Sequence, residues 1–264
     1  MTRREGMTRR EGVTRREGME GVPSAPLPTC TAAVYRGLPM AEPRRAAFFD
    51  VDGTLVRTNI VHAFAFYAMN QGSIVGTAWQ TMRTVLSVPL FAAADRVNRK
   101  VFNELFYRYY AGQSEDRLET LADELFEDVL RPAVYPGTPS LIEETRRSGC
   151  RIVLVTGALD FTVRRLAAHL GADDLIANRM RFVQGVATGR VVPPIIEGAH
   201  KALAMRDYCV REGLALEESF AYSDSFSDYP MLAVVGHPAA VNPDARLARV
   251  ARAYEWPILR TTES

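Results

Sequence analysis

Two aspartates one residue apart, Asp50 and Asp52, follow the apolar run Ala46 to Phe49 and precede Gly53-Thr54. The run reads as a buried strand that Asp50 ends, and Gly53 supplies the permissive backbone needed where a chain leaves a sheet sharply. On an α/β scaffold, ligands bind in the crevice at the carboxyl ends of strands, so both acids would face one opening. Paired carboxylates in that place suit phosphoryl transfer, although D-x-D-G also occurs in ordinary turns and in cation-binding loops.

Other segments supply what that chemistry would need. Arg151 to Val155 is a second apolar strand ending in Thr156-Gly157, a hydroxyl and a backbone N–H that could hold a phosphate ahead of a helix from about Asp160. Lys201 falls in the first turn or so of a helix from about Gly198 to Arg211, and a strand over Ser219 to Tyr222 leads into two more acids, Asp224 and Asp228. Among the 32 basic residues, lysine occurs only at Lys100 and Lys201. Lys100 has no such context and reads as a surface charge. Lys201 stands out, because a compact ammonium can approach one phosphate oxygen and a carboxylate together, where a planar guanidinium imposes its own bidentate geometry.

In this order the segments resemble the four motifs of the haloacid dehalogenase (HAD) superfamily, in its phosphoserine-phosphatase-like subfamily IB, from about Arg44 to the end. The resemblance implies an α/β fold, a doubly wound and mostly parallel sheet (the HAD-like Rossmannoid core) with an inserted helical cap. It implies Asp50 as a nucleophile that forms an aspartyl-phosphate and Asp52 as general acid/base. Gly53, Thr156, Gly157 and Lys201 would hold the phosphate. Asp50, the Asp52 carbonyl and Asp224 would hold Mg2+, with Asp228 supporting and Ser227 where relatives often carry Asn. Physical chemistry agrees: two anions approach each other only if a divalent cation and a lysine offset their repulsion, and oxygen ligands suit magnesium rather than zinc. An acid at position 52 also argues against carbon–halogen cleavage, which needs no leaving-group proton.

The implied activity is magnesium-dependent hydrolysis of a small phosphate monoester. In phosphoserine phosphatases a glutamate beyond the first motif binds the substrate ammonium, and the usual spacing lands here on Asn59, which has no charge to offer. A phospholipid-headgroup or lysophospholipid ester is therefore an alternative substrate. From a different class, a receiver-like phosphorylatable domain would share the aspartate and the metal, but would lack Asp52 and the long insertion.

These parts imply four stretches: a tail over 1–43, core with the first motif over 44–57, a helical cap over 58–135, and core again over 136–264. Cap helices are expected near Ile60 to Asn70, Ile74 to Ser87, Asp95 to Ala111 and Ser114 to Leu130, with their many aromatic residues closing a small bundle. In the second core stretch, Thr138 is expected to cap a helix ending at Ser148-Gly149 and a second helix runs from Asp160 to Leu170. Ile176 to Met180 is a strand, Phe182 to Val192 a hairpin turning at Gly185 or Gly189, and the chain closes on a helix from Asp244 to Tyr254. The tail carries MTRREG, MTRREG and VTRREG in tandem. With no apolar face it should be disordered and inert rather than a binding arm.

Composition bounds the partners. Net charge +1 over 264 residues gives no basic excess for a nucleic acid. No run is apolar and long enough to span a bilayer, which leaves peripheral lipid contact open. Cys30, Cys150 and Cys209, scattered and odd in number, suit free thiols in the cytoplasm. His62, His169, His200 and His237 form no ligand motif, and His200 reads as a helix-surface residue beside Lys201.

Overall fold

The computed structural model describes residues 45–58, 60–70 and 107–262. The tail, Asn59, Lys100 and the helices expected at 74–87 and over most of 95–111 lie outside them.

Strand β1 (Arg45–Phe49) explains the architecture. Its residues from Ala46 to Phe49 are wholly buried and alternate between two apolar layers, Ala47 and Phe49 on one face, Ala46 and Phe48 on the other. A strand apolar on both faces must lie inside a sheet covered on both sides. The sheet accordingly has seven strands in the order β4-β3-β2-β1-β5-β6-β7, all neighbours parallel except the β3–β4 hairpin. These are β2 (Cys150–Leu159), β3 (Asp174–Val183), β4 (Val186–Val192), β5 (Phe220–Ser223), β6 (His237–Val241) and the short β7 (Ile258–Leu259).

The described helices are α1 (Ile60–Met69), α2 (Glu115–Leu125), α3 (Thr138–Arg147), α4 (Asp160–His169), α5 (Ala199–Glu212), α6 (Tyr229–Ala233) and α7 (Ala245–Ala253). Ile142 of α3 and Leu166 of α4 join the layer that holds Phe49. Met205 and Tyr208 of α5, Met231 of α6 and Leu247 of α7 join the layer that holds Phe48. Phe49 stacks on Tyr222 at 4.4 Å and Phe48 meets Tyr208 edge-on at 5.9 Å, which fixes the central strand between the layers.

Several local expectations are corrected. Strand β2 does not end at Val155; it runs through Thr156 and Gly157 to Leu159, with a register shift after Val155 before pairing resumes at Leu159↔Asn178. The hydroxyl–glycine pair therefore marks an irregularity inside the strand rather than its end. The separate strand and hairpin expected after it are one hairpin, turning at Gln184-Gly185, both at positive φ, as a two-residue turn that follows the strand twist requires. Gly189 lies inside β4, where the backbone of Tyr107 and Arg108 comes close. Thr138 is not a cap; it is the first residue of α3 and its hydroxyl donates to the Leu55 carbonyl at 2.9 Å. Helix α2 continues into a wider turn over Phe126–Leu130 instead of ending as a regular helix.

The insertion leaves and rejoins the core at one place. Arg57 N donates to the Ala133 carbonyl at 2.8 Å and Tyr135 N to the Leu55 carbonyl at 3.0 Å. Among its described aromatic residues, Tyr67 meets Phe66 and Tyr110 at 6.1 and 5.2 Å, and Tyr67 and Tyr110 also meet Phe161 of α4 at 6.1 and 6.0 Å, so the contacts within the insertion continue into the core's apolar layer.

Candidate active site

Parallel register sets the site. Phe49 pairs with Leu154 of β2 and with Tyr222 of β5, so two residues further on Val51, Thr156 and Asp224 stand level at the carboxyl end of the sheet. Asp50 and Asp52 flank that position and Gly53 follows it. Asp50 is buried, with its N–H donating to the Tyr222 carbonyl at 3.0 Å. Lys201, the third residue of α5, reaches in from below: its Nζ lies 2.6 Å from Asp50 Oδ1 and 2.8 Å from Asp228 Oδ2, all three buried. Asp228 closes a turn over Phe226–Asp228 and also accepts from the Ser223 hydroxyl at 2.9 Å.

The link to Asp224 comes from Thr54, a residue the sequence reading left without a role. Its hydroxyl lies 3.1 Å from both Asp50 Oδ2 and Asp224 Oδ1, and accepts from the Asp224 N–H at 3.0 Å. One hydroxyl proton serves only one carboxylate at a time. Its signal was its place directly after the paired aspartates and Gly53, in the turn that leaves the strand. Gly53, at φ +83°, has the Asp224 carboxylate against its Cα, and a Cβ there would overlap it. Asp52 is half-buried, with the Thr58 hydroxyl donating to it over 3.4 Å.

Thr156 is buried and its Oγ1 accepts from the Ala158 N–H at 3.0 Å. The Gly157 carbonyl accepts from Asn178 Nδ2 at 2.8 Å and from the Tyr107 hydroxyl at 3.0 Å. Asn178 was also missed; the signal was an amide directly after the apolar run Leu175 to Ala177, where a buried side chain demands a partner. His200 is exposed, as expected of a helix-surface residue. Asn59 lies outside the described residues.

The electrostatics show a shortage of positive charge. Two carboxylates, Asp50 and Asp228, contact the one lysine, and Asp224 adds a third beside Asp50. Burial would lower the Lys201 pKa, but Asp228 and Asp50 more than offset it and hold the ammonium above its ordinary value. Burial raises Asp50, against the pull of Lys201. Burial and the nearby Asp50 push Asp224 up to about 7, against the hydrogen bond from Thr54. Among the described residues no three metal-ligating side chains converge. Two carboxylates sharing one hydroxyl suit a hard cation that keeps several of its own waters, which describes Mg2+.

The haloacid dehalogenase-like hydrolase family model matches residues 47–233. The chain belongs to that family. It is a phosphatase-type hydrolase whose fold and relatives are phosphoserine-phosphatase-like. The phosphoserine phosphatase SerB1 of Mycobacterium tuberculosis is 33% identical over 242 residues, 88% of this chain and 76% of that one. A protein of unknown function from Bordetella pertussis Tohama I superposes with a TM-score of 0.74 at 26% identity, covering 82% of this chain and 98% of its own. A phospho-aspartyl intermediate analogue of phosphoserine phosphatase shares the fold, with a TM-score of 0.60 at 20% identity over 83% of this chain and 94% of that one.

Proposed function

We propose that this hydrolase cleaves a small phosphate monoester with Mg2+, through an aspartyl-phosphate on Asp50. The carrying observation is Asp50 itself: buried at a strand end, 2.6 Å from Lys201 and joined to Asp224 through one hydroxyl. An Asp50 oxygen attacks phosphorus as the ester P–O bond breaks, and the leaving oxygen takes its proton from Asp52. Water then gives a proton to Asp52 as its oxygen attacks the same phosphorus, which frees Asp50 and inorganic phosphate. Lys201, Thr156 and the Gly157 N–H hold the phosphoryl oxygens, while Asp228 fixes the ammonium. Asp50, Asp224 and the Asp52 carbonyl would hold Mg2+, which would supply the positive charge that offsets the repulsion between the two anions.

The name of the mycobacterial relative supports a phosphoserine-type substrate. A larger apolar ester is the second reading; the apolar lining beside Asp52, from Val51, Ala63, Leu125, Leu130, Leu159 and Val163, encloses only about 20 Å³, room for about one water, so such a group has no space there as the site stands. No helix among the described residues is long and apolar enough to cross a membrane. The free, buried thiols of Cys150 and Cys209 support a cytoplasmic setting.

The test is hydrolysis of an aryl phosphate with Mg2+ or with chelator, by wild type and Asp50→Asn. Activity that needs both the metal and Asp50 is expected, with a loss of about a thousandfold or more in the variant. Turnover by Asp50→Asn near the wild-type rate would end the nucleophile assignment. A panel containing phosphoserine, an amine-free small phosphate ester and a lysophospholipid phosphate then separates the substrate readings.

A further inference from the structure

Tyr107 belongs to the insertion, yet its hydroxyl reaches the strand that carries the phosphate-binding residues. It donates to the Gly157 carbonyl at 3.0 Å, and Asn178 Nδ2 lies 2.8 Å from the same carbonyl and 3.1 Å from the Tyr107 oxygen. Asn178 Oδ1 accepts from the Ile196 N–H at 2.8 Å, in the loop that leads to Lys201. Three of the four hydrogen-bonding valences of this buried amide are thus spent at one place.

The consequence follows from the planarity of the peptide unit. Anchoring the Gly157 carbonyl from one side directs the Ala158 N–H to the other, where it meets Thr156 Oγ1 at 3.0 Å. That bond occupies a lone pair of the Thr156 hydroxyl and leaves its proton free for an acceptor such as a phosphoryl oxygen. We propose that Tyr107 and Asn178 are positioning residues forming a latch, through which the insertion sets the orientation of the Thr156 hydroxyl. The inference rests on Thr156 as a phosphate contact. Burial, with nearby Glu197, raises the Tyr107 pKa, so the phenol stays a donor across the working range.

The test is a double-mutant cycle on full-length protein with an aryl phosphate and Mg2+: wild type, Tyr107→Phe, Thr156→Val and the double variant. Tyr107→Phe removes one oxygen and keeps the ring. Its kcat/KM should fall about tenfold while Tm shifts little, and the double variant should be no worse than Thr156→Val alone, within about twofold. Tyr107→Phe within twofold of wild type, or losses that multiply in the double variant, would overturn the latch. So would a large fall in Tm with kcat/KM unchanged, which would make the bond structural only. If Thr156→Val itself keeps wild-type activity, the phosphate contact fails and the latch falls with it, whereas failure of the latch alone leaves Thr156→Val impaired.

Discussion

Asp50 and Asp52 are the same residue type two positions apart, and their surroundings divide the work. Asp50 is buried against the Lys201 ammonium, which fixes the orientation of the carboxylate that the proposal makes the nucleophile. Asp52 is half-buried and accepts from the Thr58 hydroxyl over 3.4 Å, and the proposed mechanism gives it the acid/base role. Asp52→Asn should therefore cost about a hundredfold or more with alkyl phosphates and much less in the first step with nitrophenyl phosphate, whose leaving group needs no proton. Burst kinetics on both ester types check this, and equal losses in that step would remove Asp52 from the acid role.

Elements matter here through their ends. The register of β1 with β2 and β5 delivers Val51, Thr156 and Asp224 to one level, and Gly53 lets the chain turn there without a side chain. Gly53→Ala would force a residue with a Cβ into a left-handed conformation, at about 1–2 kcal/mol, and push it into the Asp224 carboxylate. The expected result is a lowered Tm and a Mg2+ concentration for half-maximal activity raised about tenfold, as the metal-facing acid is displaced. A magnesium titration that superposes on the wild-type curve would show that Asp224 is not a ligand.

At the scale of the molecule, burial of Asp224 ties stability to pH. Asp224 has a folded-state pKa near 7 against 3.8 for the free side chain, so the folded state binds the extra proton. The stability this contributes is complete below about pH 4 and lost as pH rises through about 7. Metal-free wild type should thus lose Tm relative to Asp224→Asn between pH 5 and 7.5, and Mg2+ should raise the wild-type Tm more at pH 7.5 than at pH 5. Thermal melts at both pH values, with chelator and with Mg2+, check this. A wild-type minus variant difference that does not change with pH would contradict it.

Residues whose role is local were legible in the sequence. Asp50, Gly53, Lys201, Asp224 and Asp228 sit at strand ends or helix starts that periodicity and turn chemistry mark, and the α/β class follows from alternating elements. Contacts between distant segments were not legible, because nothing in a linear pattern states register. The shared Thr54 hydroxyl depends on how β1 and β5 align, and the continuation of β2 past Gly157 depends on β3 lying alongside. That Tyr67 and Tyr110 meet Phe161 of α4 as well as each other depends on where the insertion lies against the core, and Asn178 acquires its partners only once Tyr107 and Gly157 are brought together. The chain's own pattern therefore determined the chemistry on offer, while tertiary packing decided which hydroxyls and amides hold that chemistry in place, since those partners lie up to 170 residues apart.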